Sequence, residues 1–155
     1  MISTTISVSY GQVRDDVILT TGYVGAAAQE TGGNASRVFA SEYDNLLFDR
    51  LWSETAEAVA DGVKEFQDGL MTAKEEEDGE FYCRIPLSLP SNWNVNYEAQ
   101  MLSSARSLFA NTILSRWFGV SKKDEAEYYA GLAAKSGQEL KKCIYARRKP
   151  KLCDC

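Results

Sequence analysis

The chain has 155 residues and a formal net charge of −5, with 45% hydrophobic residues, 25% charged residues and no histidine. Its length and composition predict one soluble globular domain, and no stretch reaches the roughly 18–20 uninterrupted apolar residues of a membrane span. Histidine is the usual general base and the commonest zinc ligand, so its absence excludes Ser–His and Cys–His nucleophile pairs and histidine metal sites. The sequence also lacks a phosphate-binding loop, a dinucleotide fingerprint and a nucleophile elbow.

We therefore expect a protein that is not an enzyme and that needs neither cofactor nor metal. The N-terminus lacks a basic segment followed by an apolar one, so we expect no secretory signal and no membrane association. Carboxylate-only mechanisms remain open in principle, but the acidic residues of the first half lie where a polar helix face requires charge. These residues are Asp15, Asp16, Glu54, Glu57 and Asp61.

The first predicted elements are a short strand and a helix. Residues 2–8 alternate apolar and hydroxyl side chains, which indicates a β-strand. Ser9 and Gln12 have the spacing of a capping box, and the apolar positions that follow predict a helix over about 10–28.

A second, long helix is predicted after the glycine-containing loop at 31–34. Ser41 provides its cap, and apolar residues keep helical spacing to residue 70. Such a length indicates either a kink near Gly62 or a long helical bundle. The acidic run 75–79 then predicts a solvated loop, because adjacent carboxylates repel one another.

Residues 80–90 carry the clearest strand pattern in the chain. Pro86 cannot donate a hydrogen bond to a neighbouring strand, so the pattern predicts an edge strand or half of a two-stranded ribbon with the N-terminal strand. Alternation predicts that Phe81, Ile85 and Leu87 are buried and that Tyr82 and Arg84 are exposed.

The last third predicts two amphipathic helices joined by a short turn. The first, over about 97–118, is capped by Asn94 or Asn96 and ends at Gly119 as its C′ residue. The second begins at a capping box of Ser121 and Asp124, continues to about Arg148 and stops before Pro150. We expect this αα-hairpin to form the stable core, with Phe109 and Leu132 both buried in it.

The expected fold is mainly α: about four helices, a C-terminal αα-hairpin and a small two-stranded β element. Residues 1–150 form one helical domain, and 151–155 form a disordered tail. Cys83 and Cys143 lie in apolar patterns and predict buried thiols. Cys153 and Cys155 lie in the tail, where two further soft ligands for a metal are missing.

Two features are candidates for contact with partners. Trp93 lies on a loop between Pro90 and the third helix and is the best candidate for an interface anchor, because aromatic side chains are enriched at protein contacts. The C-terminal end is basic: residues 141–155 sum to +5, so the other 140 residues sum to −10. The cations of this end are Lys141, Lys142, Arg147, Arg148, Lys149 and Lys151.

The basic end has two interpretations. It either contacts a polyanion such as DNA, or an acidic protein, or it consists of solvated cations that favour the negative end of the helix dipole. The acidic remainder of the chain argues against nonspecific wrapping of nucleic acid over the whole surface.

Three segments carry a resemblance to known proteins: residues 6–17 (ISVSYGQVRDDV), the strand 81–89 (FYCRIPLSL) and residues 104–150. Together they resemble small structural proteins encoded by tailed phages and prophages of gut bacteria, and the last segment resembles the head–tail connector, or neck adaptor, family. The resemblance implies helices that pack into a wedge, wedges that assemble as a ring beneath the portal, and no catalytic residues.

On this resemblance we expect a virion assembly protein, found in the virion or the bacterial cytoplasm, that forms a homo-oligomer and contacts portal or tail proteins. DNA contact by the basic end is a further expectation. The alternative is a cytoplasmic helical adaptor or regulatory module that binds one protein partner. A carboxylate-dependent enzyme ranks third.

Overall fold

The computed structural model describes residues 1–30, 45–119 and 122–150, and for 27–30 it describes the backbone alone. The elements of these residues are, in chain order, β1 (Ile2–Ser9), α1 (Tyr10–Glu30), α2 (Asn45–Gly62), β2 (Thr72–Glu77), β3 (Glu80–Leu89), α3 (Glu98–Phe118) and α4 (Lys123–Tyr145). The described chain is thus mainly helical, as predicted. Its antiparallel sheet, however, has three strands in the order β1-β3-β2, instead of the two that were predicted.

The central strand of the sheet is β3. The predicted pairing of the N-terminal strand with it is confirmed, with Ile6 opposite Ile85, but the prediction that β3 lies at an edge is wrong. Pro86 is tolerated because its carbonyl faces away from β1 and accepts the backbone N–H of Asp68 at 2.9 Å. Its missing N–H therefore lies on the side of β3 away from β1, beyond the last β2–β3 pair, Thr72 with Arg84, so it interrupts neither ladder.

The three glutamates of the acidic run form the end of β2, so the prediction of a loop is wrong for them. Asp78 and Gly79 both have positive φ, 52° and 82°, which is the backbone of a tight hairpin turn that favours Asp-Gly. Arg84, on the neighbouring strand, pairs with Glu75 at 3.4 Å and with Glu77, which offsets the repulsion between the carboxylates. The Asp-Gly dipeptide between two extended segments was the signal in the sequence for this hairpin.

Burial along β3 follows the predicted alternation except near its start, next to the hairpin turn. Ile85 and Leu87 are buried, while Tyr82 and Arg84 are partly exposed. Phe81, predicted to be buried, is 36% exposed. It lies next to the hairpin turn, where its ring contacts Tyr10 and the Lys74 ammonium instead of the centre of the core.

The second helix is shorter than predicted. It ends at Gly62, and the chain passes through a 3-10 turn, Lys64–Phe66, before entering β2. Leu70, assigned to the apolar helical face, is 92% exposed. Glycine weakens the helix at this point, and the segment after the 3-10 turn gains hydrogen bonding to β3 through an isolated bridge of Gln67 with Leu87. The loop at 31–34 and the cap at Ser41 lie outside the described residues.

The remaining helix ends agree with the sequence in part. The Ser9 cap is confirmed, since its Oγ accepts the backbone N–H of Gln12 at 3.3 Å. Asn94 caps the 3-10 turn that leads into α3, accepting the backbone N–H of Asn96 at 3.2 Å. Gly119 does end α3, but with a right-handed backbone (φ −56°) and not the left-handed one that its assignment as C′ predicted. The Ser121 cap lies outside the described residues.

The predicted αα-hairpin is confirmed: α3 and α4 make the most extensive contact between helices. The core lies between this hairpin, the other helices and one face of the sheet, and Phe109 of α3 is fully buried against Trp52 of α2, with ring centroids 4.8 Å apart. The Trp52 indole donates to the carbonyl of Ala73 at 2.6 Å, which ties α2 to β2. Leu132, predicted to be equally buried, is only partly so.

Candidate interaction site

The C-terminal end of α4 is the place where the candidate residues meet. The helix ends at Tyr145 instead of Arg148, because Ala146 is extended (φ −64°, ψ 128°). The chain then runs beside the loop before α3: Asn94 N–H donates to the Ala146 carbonyl at 3.0 Å and Arg148 N–H to the Asn92 carbonyl at 2.8 Å. These bonds form a short antiparallel bridge between Trp93 and Arg147, which holds residues 146–148 beside the loop before α3.

Trp93 lies inside this junction. Its side chain is 1% exposed, and its Nε1–H donates to the carbonyl of Cys143 at 2.8 Å. The last carbonyls of a helix lack the usual partners within the helix, and the Cys143 carbonyl accepts from both the indole and the Ala146 N–H, at 3.3 Å from the latter nitrogen. The indole also fills the space beneath the loop. An interface anchor needs an exposed side chain. The contacts instead assign Trp93 to the packing within one chain, which corrects its prediction as an interface anchor.

Two of the predicted cations also bind carbonyls at this junction. Arg147 donates to the Ile144 carbonyl at 2.8 Å and to the Ala146 carbonyl at 3.3 Å, and Arg148 donates to the Ser91 carbonyl at 2.8 Å. Cations near the C-terminal end of a helix are favoured by its dipole. Both guanidinium groups therefore contribute to the junction itself, whatever else they contact.

Three lysines of this region, Lys141, Lys142 and Lys149, are exposed. Near them the Tyr145 ring packs edge-on against Phe66, with centroids 5.3 Å apart, and its hydroxyl donates to the Glu65 carboxylate. That hydrogen bond raises the pKa of Tyr145 above its usual value. Within the described residues, the basic end predicted from the sequence consists of Lys141, Lys142, Arg147, Arg148 and Lys149. Lys151, Cys153, Cys155 and the predicted tail 151–155 lie outside the described residues.

The opposite end of β3 is acidic. The β2–β3 hairpin, which we call the acidic hairpin, carries five carboxylates against the two cations Lys74 and Arg84. A strand rises about 3.3 Å per residue, so the ten residues of β3 place the turn of this hairpin about 30 Å from Leu89, after which the chain reaches residues 91–94 beside the basic end. The carboxylates are Glu75, Glu76, Glu77, Asp78 and Glu80. These five carboxylates and the basic end thus lie toward opposite ends of β3.

Two of the acidic residues considered in the first half connect helices. Arg106 of α3 makes a two-pronged contact with Asp16 of α1, with nitrogen–oxygen distances of 2.9–3.2 Å. Arg116 of α3 contacts Glu54 of α2 at 2.6 Å. These pairs join α1 and α2 to the αα-hairpin. Of the other three carboxylates, Asp61 lies 3.5 Å from the Lys64 ammonium, and Asp15 and Glu57 are exposed.

The thiols within the described part of the chain, Cys83 and Cys143, are buried, as predicted. Burial raises the pKa of Cys83 to about 12. A thiol with so high a pKa stays protonated at neutral pH, and the protonated form is a poor nucleophile and metal ligand. Within residues 1–30, 45–119 and 122–150, no group of three or more cysteine, aspartate or glutamate side chains is arranged to hold a metal ion.

Comparison of the chain with models of protein families, with curated proteins and with solved structures gives no match. None of the helices in the described residues combines the length and apolar character that a membrane crossing requires.

Proposed function

We propose that this protein is a non-enzymatic assembly subunit of a tailed-phage or prophage virion, similar in role to a head–tail connector. The observation that carries the proposal is the basic end, a group of five cations on an otherwise acidic chain. Hydrogen bonds with residues 91–94 hold the backbone of Ala146 and Arg148 and the Arg148 side chain at this end. Exposed cations on a backbone that is held in place are suited to a negatively charged partner surface, because the backbone that carries them is organised before contact.

In this proposal the protein acts through physical contacts between surfaces and catalyses no reaction. The exposed lysines of the basic end face DNA phosphates in a channel or the carboxylates of a neighbouring subunit. The acidic hairpin, toward the opposite end of β3, offers such carboxylates, so that successive copies meet basic end to acidic hairpin. Contacts between two different surfaces of the same chain close into a ring when the rotation between neighbours permits.

Exposed apolar side chains on three helices add to the surface available for such contacts. Leu19 and Tyr23 on α1, Leu46 on α2 and Tyr128 on α4 are each more than half exposed. Large exposed apolar side chains are commoner at interfaces than on the rest of a protein surface when they lie together. They supply the apolar component that charge pairs alone lack.

We expect the protein to assemble in a salt-dependent way. Light scattering after size exclusion is expected to give a mass of several chains at about 0.05 M NaCl and a smaller mass at about 0.5 M, because salt screens contacts between exposed charges. A monomer at every protein concentration and at both salt concentrations would favour the alternative, a helical adaptor with one protein partner.

We also expect the basic end to bind DNA. For four to six phosphate contacts, the plot of log K against log salt should have a slope of about −4 to −5. The triple variant K141A/K142A/K149A removes only exposed lysines and leaves Arg147 and Arg148 on their carbonyls. Since each lost phosphate contact changes the slope by about 0.9, this variant should flatten it by about 2.5–3.

The matched control is the triple variant R50A/K123A/K135A, which removes three exposed cations elsewhere on the surface and changes the net charge equally. We expect its slope to equal that of the unchanged protein. Equal slopes for both triple variants would show that DNA binding does not use the basic end. Absence of binding by the unchanged protein at about 0.05 M NaCl would end the DNA interpretation and leave an acidic protein as the partner.

A further inference from the structure

The outer edge of the sheet at β1 presents unpaired backbone groups. Thr5 lies opposite Pro86, and the Pro86 carbonyl points away from β1 toward Asp68. In an antiparallel pair this orientation makes Thr5 and Pro86 a non-hydrogen-bonded pair, so the N–H and C=O of Thr5 face outward. Residues two apart share the orientation, and Ser3 and Ser7 therefore do the same. Among the described residues, no backbone hydrogen bond reaches this edge.

The two edges of the sheet differ in how they are protected. The edge at β2 carries Lys74 and three consecutive glutamates, and its pairing with β3 contains an irregularity. Charged side chains and irregularities are the usual protection of an edge against another strand. The edge at β1 has eight residues, Ile2–Ser9, with no charge, no proline and no glycine. Only one edge of this sheet is thus suited to receive a further strand.

We propose that the β1 edge pairs with the β1 edge of a second copy, antiparallel about a two-fold axis at Thr5. In this register Thr5 lies opposite Thr5 of the second copy and Ser3 opposite Ser7, so the outward groups of three residues form about six backbone hydrogen bonds. The result is a six-stranded sheet, continuous through both copies, with an isologous interface.

The side chains on both faces fit this register. On the core-facing side, Ile2, which is only partly buried in one chain, lies opposite Val8 of the second copy. On the solvent side, the exposed hydroxyl of Thr5 lies opposite its own equivalent. Cross-strand pairs of threonines that hydrogen-bond to each other stabilise a sheet. A pairing of β2 with β2 would instead place carboxylates against carboxylates.

This pairing goes beyond the proposed function, because it holds for a connector and for an adaptor alike. The pairing of β1 edges also depends on salt less than the contact between the basic end and the acidic hairpin does. Backbone hydrogen bonds and apolar contacts persist at about 0.5 M NaCl, whereas a contact between exposed charges of the basic end and the acidic hairpin weakens. A dimer that survives high salt therefore reports on β1, and a larger mass that is lost with salt reports on the charged ends.

The test is sedimentation equilibrium of the full chain with one substitution on each edge. Thr5→Lys places two ammonium groups opposite each other at the axis, while Thr72→Lys makes the same change at an exposed threonine on the β2 edge. At about 0.5 M NaCl, where the contact between the charged ends is screened, we expect the unchanged protein and Thr72→Lys to be dimeric with similar dissociation constants. For Thr5→Lys we expect a dissociation constant at least about tenfold higher.

A second variant removes the central hydrogen bonds. Thr5→Pro deletes an N–H that points away from β3, so it leaves the pairing within the chain intact, as proline on the open side of an edge strand does. We expect this variant to keep the circular dichroism spectrum of the unchanged protein and to be monomeric at about 0.5 M NaCl. The proposal is overturned if the unchanged protein is monomeric there, or if Thr5→Lys dimerises as tightly as Thr72→Lys.

Discussion

Replacing Trp93 with alanine is expected to lower the free energy of unfolding by about 3–5 kcal/mol, the range for removing a large buried aromatic side chain. The indole is 1% exposed, and its N–H satisfies the Cys143 carbonyl in the last turn of α4. Its removal opens a cavity beneath the loop and leaves that carbonyl with one donor, the backbone N–H of Ala146 at 3.3 Å. Urea unfolding followed by far-ultraviolet circular dichroism measures the loss.

Trp93→Phe separates the contribution of the buried ring from the contribution of the indole hydrogen bond. Phenylalanine keeps most of the ring volume but cannot donate, so this variant should lose about 0.5–1.5 kcal/mol, the net contribution of one hydrogen bond, because the Ala146 N–H still donates to the Cys143 carbonyl. The oligomeric mass of both variants serves as the control for an interface role. If Trp93→Ala reduces that mass while its unfolding free energy changes by less than about 1 kcal/mol, Trp93 is an interface anchor, as the sequence alone predicted.

The parts of the fold that the sequence predicted are those determined by neighbouring residues. The αα-hairpin follows from helical spacing within α3 and α4, and β1 and the Ile85–Leu87 portion of β3 follow from strict alternation. The Ser9 cap is local as well, since donor and acceptor are three residues apart. In each case the pattern that forms the element is contained within the element.

The parts that the sequence did not predict depend on distant partners. The glutamates of β2 form a strand because Arg84 and the Asp78–Gly79 turn lie beside them once β3 is in place. The end of α2 at Gly62 depends likewise on hydrogen bonds between the following segment and β3. No periodicity within either segment contains this information.

The candidate site shows the same division. The charge of the basic end can be read from the sequence, because it depends only on composition. The extended segment after Tyr145 and the burial of Trp93 cannot, because both depend on residues 91–94 lying beside the end of α4. The sequence therefore predicted the charges of the basic end correctly. It also predicted Trp93 as an interface anchor, although its side chain is buried within the chain.

Phe109→Ala is expected to lower the free energy of unfolding by about 3–5 kcal/mol. Phe109 is fully buried where α3 meets α2, and its ring lies 4.8 Å from that of Trp52. Removing it leaves the Trp52 ring without its neighbour at the contact through which α2, β2 and the αα-hairpin share one core. Phe109→Leu, which retains an apolar side chain of similar size, should lose only about 1–2 kcal/mol.

Leu132→Ala is the comparison that tests where the core lies. Its side chain, in α4, is only partly buried, so we expect a loss of about 1–2 kcal/mol, because the free energy of burial scales with the apolar area removed from water. The sequence alone predicted equal losses at the two positions. Equal measured losses would place the centre of the core between α3 and α4. A loss at Phe109 about twice as large would place it between α3, α2 and the sheet, because only there does Phe109 contact Trp52.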